Sequence, residues 1–466
     1  MKRNIIYALI VMLAPTLCEA QTETLNLQQC RDMAREHNKE IAKAKAQETQ
    51  LGYDVKSYKS NFFPRINLMA MDLYSTAHGD LTITGGHLPI YNYSAAAGQY
   101  VPNVTVNADG SYTLNQYADF PDQTMELKVK NVFMGGVSLT QPIYMGGKIT
   151  TAYQMSLIGK EMAHLNAALT EEDIIVKTEE AFILAVKAKE MIVVAQKYKD
   201  LLDELMKNVE SAVAHGLKTR NDKMKVQVKI NEADLNISKA ENAYRLARMN
   251  LCHYIGKPLT ADIDVDHKWV ESSAWILESE DPLDISNRKE YALLNKKVEL
   301  AEKQVNLTRS DYLPNVVMMG GVTYTNGGEL GGKKLINGAS ASVGIGVKIP
   351  ILTFGENTNK IRSAKTKQII AQLEQDDLNE KMKLELQQAR NNMEEAEKVS
   401  KLCASALEQA EVNMKLSKQQ YEVGMETLSD YLEAQALWQN CYASKVDANC
   451  QENLAISKYL RAKGQF

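Results

Sequence analysis

What the chain lacks narrows its class. Beyond the segment from Ile5 to Leu17 it has no apolar run of membrane-spanning length, so no transmembrane helix is expected, since one needs about 20 apolar residues. A membrane role would therefore need a closed β-barrel, the other way to satisfy every backbone polar group in lipid. Useful cysteine patterns are also missing. Of six cysteines, Cys30, Cys252, Cys403, Cys441 and Cys450 follow the N-terminal run, at irregular spacing and with no Cys-x-x-Cys or Cys/His pair. That argues against a disulfide framework or a structural zinc site and leaves them as small apolar helix positions. Charge of one sign is missing too: 54 basic against 58 acidic residues leaves −4, which gives no electrostatic case for nucleic acid. Gly-x-Ser-x-Gly, His-Glu-x-x-His and P-loop motifs are absent. Gly344-Ile345-Gly346 lacks the third glycine of a dinucleotide loop, and His253 stands alone. Neither catalysis nor a cofactor is expected.

What is present begins with an export signal. Lys2 and Arg3 precede the short apolar run, and Cys18-Glu19-Ala20 ends it. A charged head, a 7–15-residue greasy stretch and a small-x-small end read as a secretory signal over 1–20. A lipoprotein reading of Cys18 meets Leu17, where a small residue is usual. Cleavage removes two basic residues and one acidic, so the mature balance is −5.

The rest is a tandem repeat. Gln141-Pro142-Ile143-Tyr144-Met145-Gly146-Gly147 matches Ile349-Pro350-Ile351-Leu352-Thr353-Phe354-Gly355 at an offset of 208. His215-Gly216-Leu217-Lys218-Thr219 matches Val423-Gly424-Met425-Glu426-Thr427 at the same offset, and Asp222 matches Asp430. Upstream, Phe63-Pro64 matches Leu313-Pro314 at an offset of 250. The difference places an insertion in the first copy around 75–126. The repeats are then 21–255 and 284–466, with a connector at 256–283. There Asp262, Asp264 and Asp266 resemble a calcium loop but lack its later glycine and glutamate.

Each repeat predicts helices and a strand hairpin. From Lys148 to Ala214 there is no proline, and Glu356 to Val423 has neither proline nor glycine. In the second stretch Met382, Leu386, Ala389, Met393 and Ala396 step 4-3-4-3, and Cys403, Leu407, Ala410 and Met414 resume the seam. At 1.5 Å per residue such a helix runs roughly 100 Å and must pack along its whole length. Shorter helices are expected at 27–60, 218–255, 284–311 and 426–461, stacked end to end beside the long ones. Residues 339–349 alternate strictly, with every odd position apolar, as a transmembrane β-strand does. Residues 65–74, 127–141 and 315–325 alternate more loosely, giving a second-copy hairpin at 315–349. Four strands cannot close a barrel; three copies supply twelve. The expected fold class is mainly α with a small membrane β part: a long α-helical barrel plus a β-barrel completed by trimerisation.

Twin Pro-x-x-x-x-Gly elements, twin Gly-x-x-Thr turns and strand hairpins between helices resemble the TolC-like family of outer-membrane efflux proteins, over essentially the whole mature chain. The resemblance implies a homotrimeric outer-membrane channel with a large periplasmic portion. It also implies partners: a periplasmic adaptor protein, an inner-membrane pump and outer-membrane lipid. It places a gate at Asp430 and Glu433, with Tyr421, Glu426 and Asp222 around it, and a cation ring at the two carboxylates. At position 426 the best-known members carry arginine, so Glu426 departs from the usual latch, unless Lys218 or Lys223 answers it. The resemblance also assigns adaptor docking to His215, Gly216 and Leu217 and to Val423, Gly424 and Met425. Two other readings are a conduit for type I protein secretion and a poreless periplasmic coiled-coil scaffold.

Overall fold

The computed structural model describes residues 23–266 and 283–465. The expected signal and most of the connector, with Trp269, Trp275 and Pro282, lie outside the described residues. Among the described residues the helices are α1 Leu27–His37, α2 Lys39–Ser60, α3 Lys148–Ala214, α4 Arg220–Tyr254, α5 Lys289–Ser310, α6 Glu356–Glu422 and α7 Leu428–Lys463. The two long helices have 67 residues each, and α2 and α5 have 22 each. The strands are β1 Glu23–Leu25, β2 Arg65–Leu73, β3 His78–Ile83, β4 Gly86–Pro89, β5 Tyr91–Ser94, β6 Gln99–Pro102, β7 Val104–Val106, β8 Tyr112–Leu114, β9 Tyr117–Phe120, β10 Gln123–Lys128, β11 Val132–Met145, β12 Ile263–Val265, β13 Asn315–Leu330 and β14 Lys333–Lys348.

The chain divides into a helical unit (Met1–Lys56, Tyr153–Val305, Arg362–Phe466) and a sheet unit (Ser57–Ala152, Asn306–Ile361). Each draws on both repeats. In the helical unit the heptad seam is the core. Leu202, Leu205 and Val209 of α3, Val226 and Ala233 of α4, Leu407 and Ala410 of α6, and Leu428, Tyr431 and Trp438 of α7 form one buried cluster. On α3, at the position matching Leu386, fully buried Thr178 donates to the Ile174 carbonyl of its own helix at 2.7 Å.

The expected helix over 27–60 is broken. Asn38 leaves helical geometry (φ −71°, ψ 129°). Its side-chain oxygen accepts from the N–H of Glu40, and its amide donates to the Tyr254 carbonyl. Asparagine competes with the helix by bonding to nearby backbone, so the break is a cap for α2 and a joint to the end of α4. The second copy starts its short helix at Lys289 rather than 284. Both copies stack their short helices by the same device. A Cβ on Gly256 would lie 2.6 Å from the His37 carbonyl oxygen, and one on Gly464 would lie 2.9 Å from the Asn287 carbonyl carbon. Both glycines have left-handed φ, near +74°, so only glycine closes either joint at no cost.

In the sheet unit the long strands run antiparallel in the order β2-β11-β13-β14. Directly opposed residues share a face. Leu68, Val137, Val322 and Ala341 form one cross-strand row, and Ile66, Leu139, Gly320 and Val343 the next. The other face carries Asn67, Ser138, Gly321 and Ser342, and then Met69, Gly136, Thr323 and Ser340. One face is therefore apolar and the other small and mostly polar. The apolar face is bare in the single chain: Leu68 is 81% exposed and Val343 82%.

The expected strand over 127–141 is split at Asn131, a non-glycine residue at φ 48°. Beyond the split, β10 continues along β13 and carries β3 with it. The insertion is also not the plain loop expected. It folds into antiparallel pairs β4–β9, β5–β6 and β7–β8, with Asn103 bonded to Gln116 and Asn115 where they meet.

Candidate functional site: the tips of the helical hairpins

Two helical hairpins, α3–α4 and α6–α7, end in matching turns. Gly216 (φ 72°) and Gly424 (φ 78°) take the left-handed conformation. In the first turn the N–H of Gly216 donates to Val213 and that of Leu217 to Ala212. In the second, Gly424 donates to Tyr421 and Met425 to Gln420. These are Schellman closures, which satisfy the last helix carbonyls. Beyond them, Leu217 is 77% exposed, Val423 71% and Met425 82%. His215 leans back on its own helix, its Nδ1 2.8 Å from the Ser211 carbonyl.

The next helices begin with capping boxes. Thr219 Oγ1 accepts from the Asp222 N–H, and the Asp222 carboxylate accepts from Thr219 Oγ1 at 2.8 Å and its N–H at 3.0 Å. Thr427 and Asp430 repeat the pattern at 2.6 Å and 3.2 Å. In both, the threonine hydroxyl and then its N–H hold the aspartate below the usual carboxylate range. Asp430 is therefore a helix cap with one oxygen engaged. Glu433, two residues after Tyr431, is exposed and makes no hydrogen bond or ion pair among the described residues. The carboxylates expected together at a gate thus differ within one chain.

The surroundings of position 426 depart from the sequence reading. Glu426 accepts a hydrogen bond from Ser417. Lys223 pairs with Glu210 at 2.8 Å. Lys218 lies 4.8 Å from the centre of the Tyr421 ring, and Tyr421 stacks on Tyr431 at 5.4 Å and 20°. Burial raises the pKa of both phenols, and Asp222 adds to it at Tyr421. The Lys218–Tyr421 contact joins the first hairpin's turn to the second hairpin. Lys225 to Ser429 Oγ at 3.3 Å and Lys418 to Glu204 at 2.9 Å also link the two hairpins near the tips. The sequence reading marked both Tyr421 and Lys218 but set the lysine against Glu426, whereas it faces the Tyr421 ring.

Two of the connector's acidic residues have cationic or hydroxyl partners. Asp264 takes Lys189 at 2.6 Å and the Tyr244 hydroxyl at 2.6 Å, and Asp262 pairs with Arg248. Burial pushes Asp264 up, but Lys189 and Tyr244 outweigh it and hold the carboxyl low. Among the described residues no cluster of three or more His, Cys, Asp or Glu is arranged for a metal, and no helix is long and apolar enough to cross a membrane.

Comparison with known proteins fits this arrangement. The outer membrane efflux protein family matches residues 90–257 and 285–455, one stretch in each repeat. The outer membrane protein TolC of Vibrio cholerae serotype O1 is 18% identical over 336 residues, 71% of this chain and 74% of that protein. The Campylobacter jejuni CmeC outer membrane channel superposes with a TM-score of 0.71 at 16% identity, covering 94% of this chain and 85% of that one. The Vibrio cholerae outer membrane protein VceC gives 0.70 at 13% identity, covering 94% and 96%. The open state of the Neisseria gonorrhoeae MtrE channel gives 0.69 at 15% identity, covering 94% and 88%. With both repeats matched, the chain belongs to the outer membrane efflux protein family.

Proposed function

We propose that three copies of this chain form an outer-membrane channel of a tripartite efflux system. It passes small molecules from an inner-membrane pump, through a periplasmic adaptor, across the periplasm and the outer membrane. It is a conduit and not an enzyme. The observation that carries this reading is what one chain leaves uncovered. Among the described residues the sheet ends unpaired on β2 and β3 at one side and on β14 at the other, and edges do not persist in lipid. Its apolar face is bare, as a lipid-facing wall requires, while the opposite face suits a wet lumen. Four strand lines per chain give twelve in three copies.

The helical unit is incomplete in the same way. On α4, Met224, Val228, Leu235, Leu246 and Met249 are all exposed and fall within an arc of about 60° at 100° per residue. On α6, Ile370, Leu373, Leu384, Leu402, Val412 and Leu416 are exposed as well. Two apolar stripes on long helices call for lateral partners. A second copy supplies both, with α4 of one against α6 of the next.

The gate assignment rests on the same assembly. Three pairs of hairpin tips would bring Asp430 and Glu433 around one opening, with Leu217 and Met425 at its rim to meet the adaptor. The insertion at 75–126, with Tyr91, Tyr93, Tyr100, Tyr112 and Tyr117 all more than half exposed, would face the cell exterior.

The test is native mass measurement of the detergent-extracted protein, followed by planar-bilayer recording. Three chains and a discrete, long-lived conductance are expected. A stable monomer that leaves the bilayer silent refutes the channel. An epitope placed between Ala96 and Ala97 should be reached by antibody on intact cells; labelling only after membrane rupture would invert the topology.

A further inference from the structure

The two repeats meet the sheet's helix-side corner differently, and the difference falls on one residue. In the first copy the chain leaves β11 through Gly146 and Gly147, at φ 60° and 81°. In the second it leaves β14 through Phe354 and Gly355, at φ 45° and 85°. The backbone turns are the same, but phenylalanine occupies a left-handed position that L residues avoid. Its ring is also 92% exposed, with Ile351 at 93% and Leu352 at 70%. A strained backbone and a bare aromatic ring are two costs at a place where the other repeat uses glycine. A contact outside the single chain would account for both.

The repeat itself says what that contact is. In the first copy the corner is packed by the turn leading into β13. A Cβ on Gly146 would lie 2.6 Å from Leu313 Cβ and 2.6 Å from the Ser310 carbonyl oxygen. The repeat equivalents of Ser310 and Leu313, 250 residues earlier, are Ser60 and Phe63. These lead into β2, which is an edge strand. Among the described residues no second strand of the same chain lies beyond β14 to provide that turn, which points to another copy. Phe63 is itself 60% exposed.

The strand register carries across in the same way. Within the chain Gln141 opposes Met318, and Leu139 opposes Gly320. Moving the first strand on by 208 and the second back by 250 sets Ile349 opposite Leu68 and Val347 opposite Ala70 of a neighbouring copy. Apolar meets apolar in both pairs. A slip of one residue would set Ile349 against Met69, on the other face, and invert every contact.

Resting on the trimeric channel reading, we infer that Phe354 of one copy docks against Phe63 of the next, clasping each subunit boundary with an aromatic pair beside the β14–β2 seam. Because Gly146 leaves no room for a side chain, the boundary between copies stands wider than the joint inside a chain. The extra space is about one van der Waals layer, roughly 3.5–4 Å, and the Phe354 ring fills it.

The experiment uses the full-length protein with p-benzoylphenylalanine at position 354, irradiated in outer membranes or proteoliposomes. A two-copy adduct is expected, with the cross-link in the peptide that spans residues 60–66. A native trimer whose label reaches only lipid, or only its own chain, overturns the clasp and leaves the channel standing; a monomer by native mass overturns both. A second variant sets strain against contact. Phe354→Gly restores the residue of the first repeat and relieves the backbone. Without a clasp the trimer should be as stable or more so. With it, dissociation on heating in detergent should be about five- to tenfold faster, the value of an aromatic pair. Phe63→Ala should match that loss, and the double variant should be no worse than either. Additive losses overturn the pairing.

Discussion

Separating the two hairpin tips must break the contact between Lys218 and Tyr421, and its value can be worked from the structure. Lys218 is half-buried and sits 4.8 Å from the ring centre, within the range where an ammonium is attracted by the ring face. Such a contact contributes about 0.5–1 kcal/mol at an exposed site. The neighbouring link, Lys418 to Glu204, has side chains 37% and 56% exposed and adds little, as surface pairs do. Three copies opening together would lose about 1.5–3 kcal/mol, roughly ten- to hundredfold in the closed-to-open ratio. Lys218→Met is therefore expected to raise the open fraction by that factor in single-channel recordings. Tyr421→Phe keeps the ring and should behave as the parent, while Tyr421→Leu should behave as Lys218→Met. The double variant Lys218→Met with Tyr421→Leu should add nothing beyond either single change. An unchanged closed fraction in Lys218→Met, or a Tyr421→Phe channel as leaky as Tyr421→Leu, would refute the latch.

Other expectations follow from the same contacts. Thr219→Ala or Thr427→Ala removes a capping box and should cost about 1 kcal/mol in denaturant unfolding. Because Thr219 holds Asp222 below its usual value, the cap's contribution is present above about pH 3.9 and is lost as pH falls through the folded value. Thr219→Ala should blunt that acid sensitivity, and an unchanged acid midpoint would refute the assignment. Glu179, 1% exposed, is held by Arg31 Nε at 2.6 Å and Ser457 Oγ at 2.7 Å. Burial raises its pKa against the pull of Arg31, so its ionisation opposes folding as pH rises through the folded value. Arg31→Ala should cost about 3–5 kcal/mol in thermal unfolding, and adding Glu179→Gln should recover part of it; a loss below about 1 kcal/mol would show the pair to be dispensable. Leu217→Glu or Met425→Glu should abolish export while native mass still shows three chains; normal export from both variants would remove the adaptor-docking assignment.

Much of the fold was legible because its signals are periodic. The 4-3 spacing from Met382 to Ala396 marks a seam, and Met382 and Leu386 are buried on it. The alternation in 339–349 is a strand because period two has no helical reading. What escaped is aperiodic. The break at Asn38 depends on a bond to Tyr254, more than 200 residues away. The split at Asn131 depends on one positive φ. The insertion carries no repeat to compare with, so its hairpins had no template. At the tips, spacing put Asp430 and Glu433 on one helix face but could not show that Thr427 engages the first of them. The sequence contained the capping box, Thr427-Leu428-Ser429-Asp430, and the reading drawn from the family resemblance did not use it.

The repeat also shows why matching elements need not have equal surroundings. Helices α3 and α6 have the same length and share a seam, yet α3 is the more enclosed. Ile174, Thr178, Ala181, Ala185 and Leu202 are all nearly or wholly buried. It is held by ion pairs from several elements: Arg35 to Glu171, Lys289 to Glu172, Arg461 to Asp173 and Lys189 to Asp264. The residue matching Asp173 on α6 is Lys381, and it pairs within its own helix, with Asp377. On its outer side α6 shows Leu373, Leu384 and Leu402, each more than 60% exposed. A monomer would gain nothing from leaving those leucines in water, since each fully buried one is worth about 1.5–3 kcal/mol. Duplication gave both helices the same seam. The enclosure is not general to the first copy, since α4 keeps its apolar stripe bare as α6 does, and the proposed ring of identical subunits would set those two stripes against each other at each boundary.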